Sequence, residues 1–265
     1  MKLLFSEQNP DYSIYQYPYI IWAVPEAGET PADIFNAGFM PSALRLDRFY
    51  MCRHLRIPLT GFALSSENRR ILRKGAGINV ELVPRANFDY SAARREFCES
   101  YAAVRFGEGI MTYERLDALF NSPVISHLLL FTEAGTGREL GIVTLFIEDT
   151  KMAFYYYGFY DLNYFNRSLG LFMMTTAAEF FATRGFRHLY LGTCYSERAL
   201  YKIQFDGVEF FTGFRWSDNL EELKFLLRRE KGKAHLLETE NYRNEFYHGN
   251  ESEITAASPF SVKLS

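Results

Sequence analysis

Apolar and polar positions alternate along this chain in short blocks that read as strands and amphipathic helices. Residues 12–24 are aromatic and β-branched and predict a strand. Residues 26–31 form a turn in which Thr30 and Pro31 suit the N-cap and first position of a short helix ending at Gly38. Residues 49–58 predict one strand. Leu64-Ser65-Ser66-Glu67 opens a basic helix that runs to Lys74 and stops at Gly75-Ala76-Gly77, with a strand following over 78–83. Helices are predicted over 91–104, capped by Ser91, and over 113–120. Strands at 127–132, 140–147 and 152–158 come next, the first two joined by a hairpin turn at Gly135-Thr136-Gly137. Ser168 is placed to cap a helix reaching Thr183, with Leu169, Phe172, Met173, Thr176 and Phe180 forming an apolar stripe. A short buried strand is expected over 187–192. A helix over 196–205, a strand over 208–216, a charged helix over 219–231 and a polar, irregular tail over 232–265 complete the pattern.

From residue 91 onward this order describes an antiparallel sheet joined to a βαβ crossover, with ligand entering where the parallel strands part. It gives an α/β (α+β) fold in three parts. These are an N-terminal lobe over 1–88, basic from residue 45, a second domain over 89–231 and the tail over 232–265.

Composition narrows the class. Apolar residues make up 48% and charged residues 23% of 265, as in ordinary globular proteins, while 25 Phe and 18 Tyr raise the aromatic share to 17%. Such clusters suit buried strands, and they also suit a pocket wall. No apolar run is long enough to span a membrane, and Met1–Phe5 is too short for a secretory signal, so a cytoplasmic protein is expected. Three isolated cysteines, Cys52, Cys98 and Cys194, fit a reducing compartment and argue against paired-thiolate metal sites. The five histidines lack metal-ligand spacing, so no metal site is expected. The net charge of −3 conceals a basic block: residues 45–95 carry +7, against −4 before and −6 after. Arg69, Arg70, Arg73 and Lys74 within it are candidates for nucleic-acid phosphates, although a helix cannot turn all four to one side.

The helix start at 166–170 carries the first chemical signal. Unpaired N–H groups and a positive dipole end there can hold a phosphate or an acyl carbonyl. Arg167-x-x-Gly170 resembles half of the Arg/Gln-x-x-Gly-x-Gly/Ala signature of the GNAT acyltransferases, with Phe172 where a small residue is usual. The same residues also make an ordinary helix cap.

A wider pattern surrounds it. Asn166-Arg167-Ser168-Leu169-Gly170 is followed by Glu179, Arg184-Gly185, Leu189-Tyr190-Leu191-Gly192, Tyr201-Lys202, Phe205 and the segment Gly213 to Trp216. Upstream lie Arg105-Phe106-Gly107-Glu108-Gly109-Ile110-Met111 and Ser122-Pro123. Earlier still come Gly38-Phe39, Phe49-Tyr50, Cys52, Arg56-Ile57-Pro58, Phe62, Ser65 and Arg69-Arg70. Over about residues 10–217 the chain resembles the aminoacyl-tRNA–protein transferases, the arginyl- and leucyl-transferases that modify protein N-termini. Phe106 and Ile110 depart from that family's His and Asp. Only Cys52 remains of its N-terminal cysteines, which are reported to bind an iron–sulfur cluster. A cluster needs about four thiolates, so none is expected here.

The resemblance implies a GNAT-like fold and transfer of an amino acid from aminoacyl-tRNA to an acceptor protein or peptide N-terminus, with no further cofactor. Attack of an amine on an activated ester needs positioning and carbonyl polarisation more than an enzyme nucleophile. Arg167, Ser168, Gly170, Gly192, Tyr201 and Lys202 are then the donor-side candidates. Tyr157 would line the acyl pocket, and Glu108 would hold the amine or accept its proton. Cys194 has no paired histidine to make it a nucleophile. The residues leave two alternatives open: an acyl-CoA-dependent GNAT N-acyltransferase using acetyl-CoA, and a degenerate tRNA- or peptide-binding relative.

Overall fold

Side-chain caps set the helices where the polar punctuation predicts. Ser65, Ser91, Thr112 and Asn219 each accept a backbone N–H of the turn they precede, and the Thr30 N–H is met by Asp33. The helices are Pro31–Asn36 (α1), Ser66–Lys74 (α2), Ala92–Phe106 (α3), Tyr113–Phe120 (α4), Leu169–Ala182 (α5), Leu220–Arg228 (α6), Glu240–Tyr247 (α7) and Glu251–Ala257 (α8). The strands are Lys2–Glu7 (β1), Tyr19–Val24 (β2), Phe39–Pro41 (β3), Phe49–Met51 (β4), His54–Pro58 (β5), Ile78–Pro84 (β6), His127–Glu133 (β7), Glu139–Glu148 (β8), Met152–Tyr160 (β9), His188–Thr193 (β10), Glu209–Phe211 (β11) and Trp216–Ser217 (β12). This computed structural model describes residues 1–229 and 236–260, without the side chains of 165–167 and 251.

Two sheets result. One is antiparallel, in the order β1-β2-β4-β3. The other has eight strands, β12-β11-β5-β10-β9-β8-β7-β6, antiparallel except for the pair β9–β10. That parallel pair is joined through α5, which is the predicted βαβ crossover. The fold is mixed α/β.

Alternation sorts the large sheet's side chains onto two faces. Leu129, Val143, Ala153 and Leu189 point to the face covered by α5, α2 and the C-terminal helices. Phe154 and Tyr190 point to the opposite face, against α1 and the four-stranded sheet. Leu128, Ile142 and Phe159 meet α3 and α4 on that same opposite face. Both faces are covered, which explains why β7 to β9 are apolar almost throughout.

Several expectations change. The strand over 49–58 is two strands in different sheets, with Cys52 and Arg53 at the crossing point. β5 and β6, which lie within residues 1–88, are strands of the large sheet. Residues 208–216 are a hairpin broken at Gly213, whose φ of +112° ends β11. Residues 197–203 are 3₁₀ rather than α. Residues 236–260 of the expected irregular tail carry α7 and α8: Tyr242 and Tyr247 are buried, and both hydroxyls donate to the fully buried Glu222 carboxylate at 2.6 and 2.8 Å. The α5 stripe is also wider than predicted, with Met174, Thr175, Ala177 and Ala178 buried while Phe180 is only partly so.

Candidate functional site

β9 and β10 pair over only three residues each, Met152–Phe154 with His188–Tyr190, and then part. Two irregularities drive them apart. β9 bulges against β8 at Tyr155 to Tyr157, where the buried Thr144 hydroxyl accepts the Tyr157 N–H at 3.0 Å in place of a ladder bond. β10 shifts register at Tyr190 to Gly192, and Gly192 has φ +79°, a conformation that favours glycine.

The fork has a different chemistry on each face. On the α5 face, Lys202 donates to the Thr193 carbonyl at 3.1 Å, and burial holds its pKa below the ordinary lysine value. A Cβ at Gly192 would stand 3.7 Å from the Lys202 ammonium, so the two lie against each other. Arg105 donates to the Tyr160 hydroxyl at 2.8 Å, and the Tyr160 ring lies on Gly170. Tyr201 is largely exposed, within electrostatic reach of Tyr160, Arg105 and Cys194.

On the other face is a cavity of about 1260 Å³. Its walls are Trp22 and Tyr50 from the four-stranded sheet, Phe106 and Leu119 from α3 and α4, Tyr156 and Tyr157 from β9, and Tyr195 beyond β10. Its charged groups are Glu114 and Arg115. Burial raises the Tyr157 phenol above its ordinary value, so at neutral pH it is a protonated hydrogen-bond donor rather than a base.

The comparisons with known proteins bear on this arrangement. No protein-family model matches the chain. An aspartate/glutamate leucyltransferase of Gluconobacter oxydans (strain 621H) is 30% identical over 173 residues, covering 63% of this chain and 70% of that protein. The chain belongs to the aspartate/glutamate leucyltransferase family. That family is one of aminoacyltransferases. A second member, from Ruegeria pomeroyi (strain ATCC 700808 / DSM 15171 / DSS-3), is 25% identical over 172 residues, covering 62% of this chain and 61% of its own length. The chain thus spans under two thirds of that relative. Among solved structures, a GCN5-related N-acetyltransferase from Sphaerobacter thermophilus is 17% identical, with a TM-score of 0.33, over 66% of this chain and 50% of that one.

Within this leucyltransferase-family chain, the residues singled out by sequence are spread over several places. Gly192, Tyr201 and Lys202 meet at the fork. Tyr157 lines the cavity, whereas Glu108 is exposed on the turn after α3 and does not line it, although Phe106, Ile110 and Met111 beside it do. At the start of α5, Ser168 does not act as a capping side chain. It is left-handed, at φ +53°, and its hydroxyl stands 3.5 Å from the Lys74 ammonium. Gly170 is roofed by Tyr160, and Phe172 is core, 6.0 Å from Phe131. The Arg167 side chain lies outside the described residues. On α2, Arg69, Arg70 and Arg73 are exposed, with Arg70 paired to Glu67, and the helix packs on α5, across the sheet from the cavity.

The thiols do not fit an iron–sulfur cluster. Cys52, Cys98 and Cys194 are buried in three separate apolar clusters. Burial pushes the Cys52 thiol up to about 12, away from the thiolate a cluster requires. Among the described residues no three His, Cys, Asp or Glu side chains converge for a metal, and no helix is long and apolar enough to cross a membrane.

Sequence reading missed Tyr195 and Arg115. The available signal was the aromatic excess, which pointed equally to core and to pocket. The bulge on β9, which turns Tyr157 to the cavity face, had no signal.

Proposed function

We propose that this chain transfers leucine from aminoacyl-tRNA to the N-terminal amine of a protein whose first residue is Asp or Glu. The cavity carries this reading. It is large, mostly aromatic and apolar, and joined through Tyr195 to the end of β10, as a site for an aminoacyl ester requires. Its apolar wall suits a leucyl side chain. Arg115 supplies a cation for an acidic acceptor residue, and Glu114 an anion for the attacking amine before it loses its proton.

In the reaction the amine nitrogen forms a bond to the ester carbonyl carbon, and the bond from that carbon to the ribose oxygen breaks. The proton lost by nitrogen balances the one gained by the departing hydroxyl. A protonated Tyr157 hydroxyl donates to the developing oxyanion, which is the polarisation such a step needs. Lys202, held against Gly192, positions the donor's end at the fork.

Transfer from acyl-CoA is less well supported. A pyrophosphate needs open N–H groups at the start of α5, and the Tyr160 ring covers Gly170. The test uses tRNA charged with labelled leucine and peptides beginning with Asp, Glu or Ala. Label should pass to the acidic peptides, and RNase should abolish it. Thermal stabilisation by acetyl-CoA without any by tRNA would contradict the proposal.

A further inference from the structure

Arg53 stands between the sheets, one residue after Cys52 and one before β5. Its backbone is fixed on both sides. The N–H donates to the Tyr195 hydroxyl at 2.7 Å, and the carbonyl accepts the Cys194 N–H at 2.9 Å. Its guanidinium carbon lies 5.0 Å from the centroid of the Tyr195 ring.

Half-buried arginines elsewhere in the molecule have carboxylates: Arg94 pairs with Glu139, and Arg215 with Glu222. Arg53 has no ion pair among the described residues, and its Nε is buried with no acceptor. The charged and titratable groups around it are Tyr195, Cys194, Tyr242 and a second cation, Arg229, with no acid among the described residues. A guanidinium that has lost hydration without gaining a carboxylate is costly, and it is stabilised when an anion arrives. Beside it, the Tyr195 ring is 57% exposed and forms part of the cavity wall.

The geometry points to a phosphate site at the cavity rim, in which Arg53 pairs with a backbone phosphate of an unpaired nucleic-acid strand and a base stacks on Tyr195. An aromatic face next to a guanidinium is how single strands are held, base on ring and phosphate on cation. A peptide carboxylate would use the cation alone. The inference rests on the aminoacyl-tRNA reading, in which the strand is the donor's 3′ end, led past Tyr195 so that its terminal ester enters the cavity.

The experiment compares the wild type with Arg53→Gln, Arg53→Lys and Tyr195→Leu, each checked for fold by thermal melting. Arg53→Gln should raise the KM for leucyl-tRNA about tenfold or more, leaving the peptide KM within about twofold. Its plot of log affinity against log salt for an oligonucleotide of the tRNA 3′ sequence should lose about 0.7 in slope, one single-strand phosphate contact, and Arg53→Lys should restore it. Tyr195→Leu should weaken the oligonucleotide with the slope unchanged. Unchanged oligonucleotide binding in every variant that folds would overturn the site. So would a rise in the peptide KM in place of the tRNA KM, which assigns Arg53 to the acceptor carboxylate. A wild type that binds the oligonucleotide in this salt-dependent way but passes no leucine would contradict the function and leave the phosphate site standing.

Discussion

Single residues govern how this molecule responds to acid and to loss of a partner. His54 is fully buried between Phe35, Tyr190 and Trp216, and burial with the nearby Arg56 cation holds its pKa down to about 3. Its ordinary value is about 6.5. Between these values the unfolded chain binds more protons than the folded one, so stability is full above about pH 6.5 and is lost as pH falls towards 3. His188, held at about 4 by burial, Arg56 and Arg187, acts in the same sense. Unfolding free energies from urea titrations should therefore drop below about pH 6.5, by up to about 1.4 kcal/mol per pH unit for each fully displaced histidine. His54→Phe should flatten that dependence, and an unchanged slope would show that His54 is not the group responsible. Glu222 makes the opposite kind of demand. Replacing it with Ala leaves Arg215, Ser217 and the Tyr242 and Tyr247 hydroxyls without their acceptor, which should cost about 3–5 kcal/mol in denaturant unfolding. Gly170→Ala sets a Cβ 2.7 Å from the Tyr160 ring, so Tyr160 must shift and its bond to Arg105 is disturbed. The expected loss is about 1–3 kcal/mol, with leucine transfer reduced further than the melting temperature implies.

At the scale of elements, local chemistry made most of the fold legible. The caps at Ser65, Ser91 and Asn219 and the glycine turn before β8 fixed boundaries because each satisfies backbone groups within a few residues of itself. The crossover through α5 was readable from the order of apolar runs. What escaped is non-local. Nothing in the stretch 49–58 marks the step from one sheet to the other, since both halves are apolar and extended, and the choice of partner strand is made by β2 and β10. The C-terminal helices escaped because Tyr242, Phe246 and Tyr247 sit among polar residues, and their burial depends on Glu222 and Phe225, some twenty residues earlier. The site was legible only in part: Gly192, Tyr201 and Lys202 lie together as a short motif, whereas the cavity is assembled from four distant segments. Deleting the segment from residue 236 onward should thus expose Leu223 and Leu226 and lower the melting temperature by several degrees. A truncated protein that melts like the full chain would contradict the docking of α7.

At the scale of the molecule, two sheets and the α3–α4 pair enclose one aromatic chamber, with the fork of β9 and β10 behind it. Conversion of Lys202 to Met should lower leucine transfer at least tenfold while the melting temperature changes little, because its ammonium donates to the Thr193 carbonyl and meets no carboxylate among the described residues. Equal transfer by this variant would remove Lys202 from the donor site. The central claim is that the chamber takes an aminoacyl ester from tRNA and an acidic N-terminus from a protein. Mass spectrometry of a mixed set of peptides, incubated with the protein and fully charged total tRNA, tests it most directly. Peptides that begin with Asp or Glu should gain one leucine residue on the N-terminal amine. An acetyl group gained from acetyl-CoA, or no mass change on any peptide while tRNA remains bound, would contradict it.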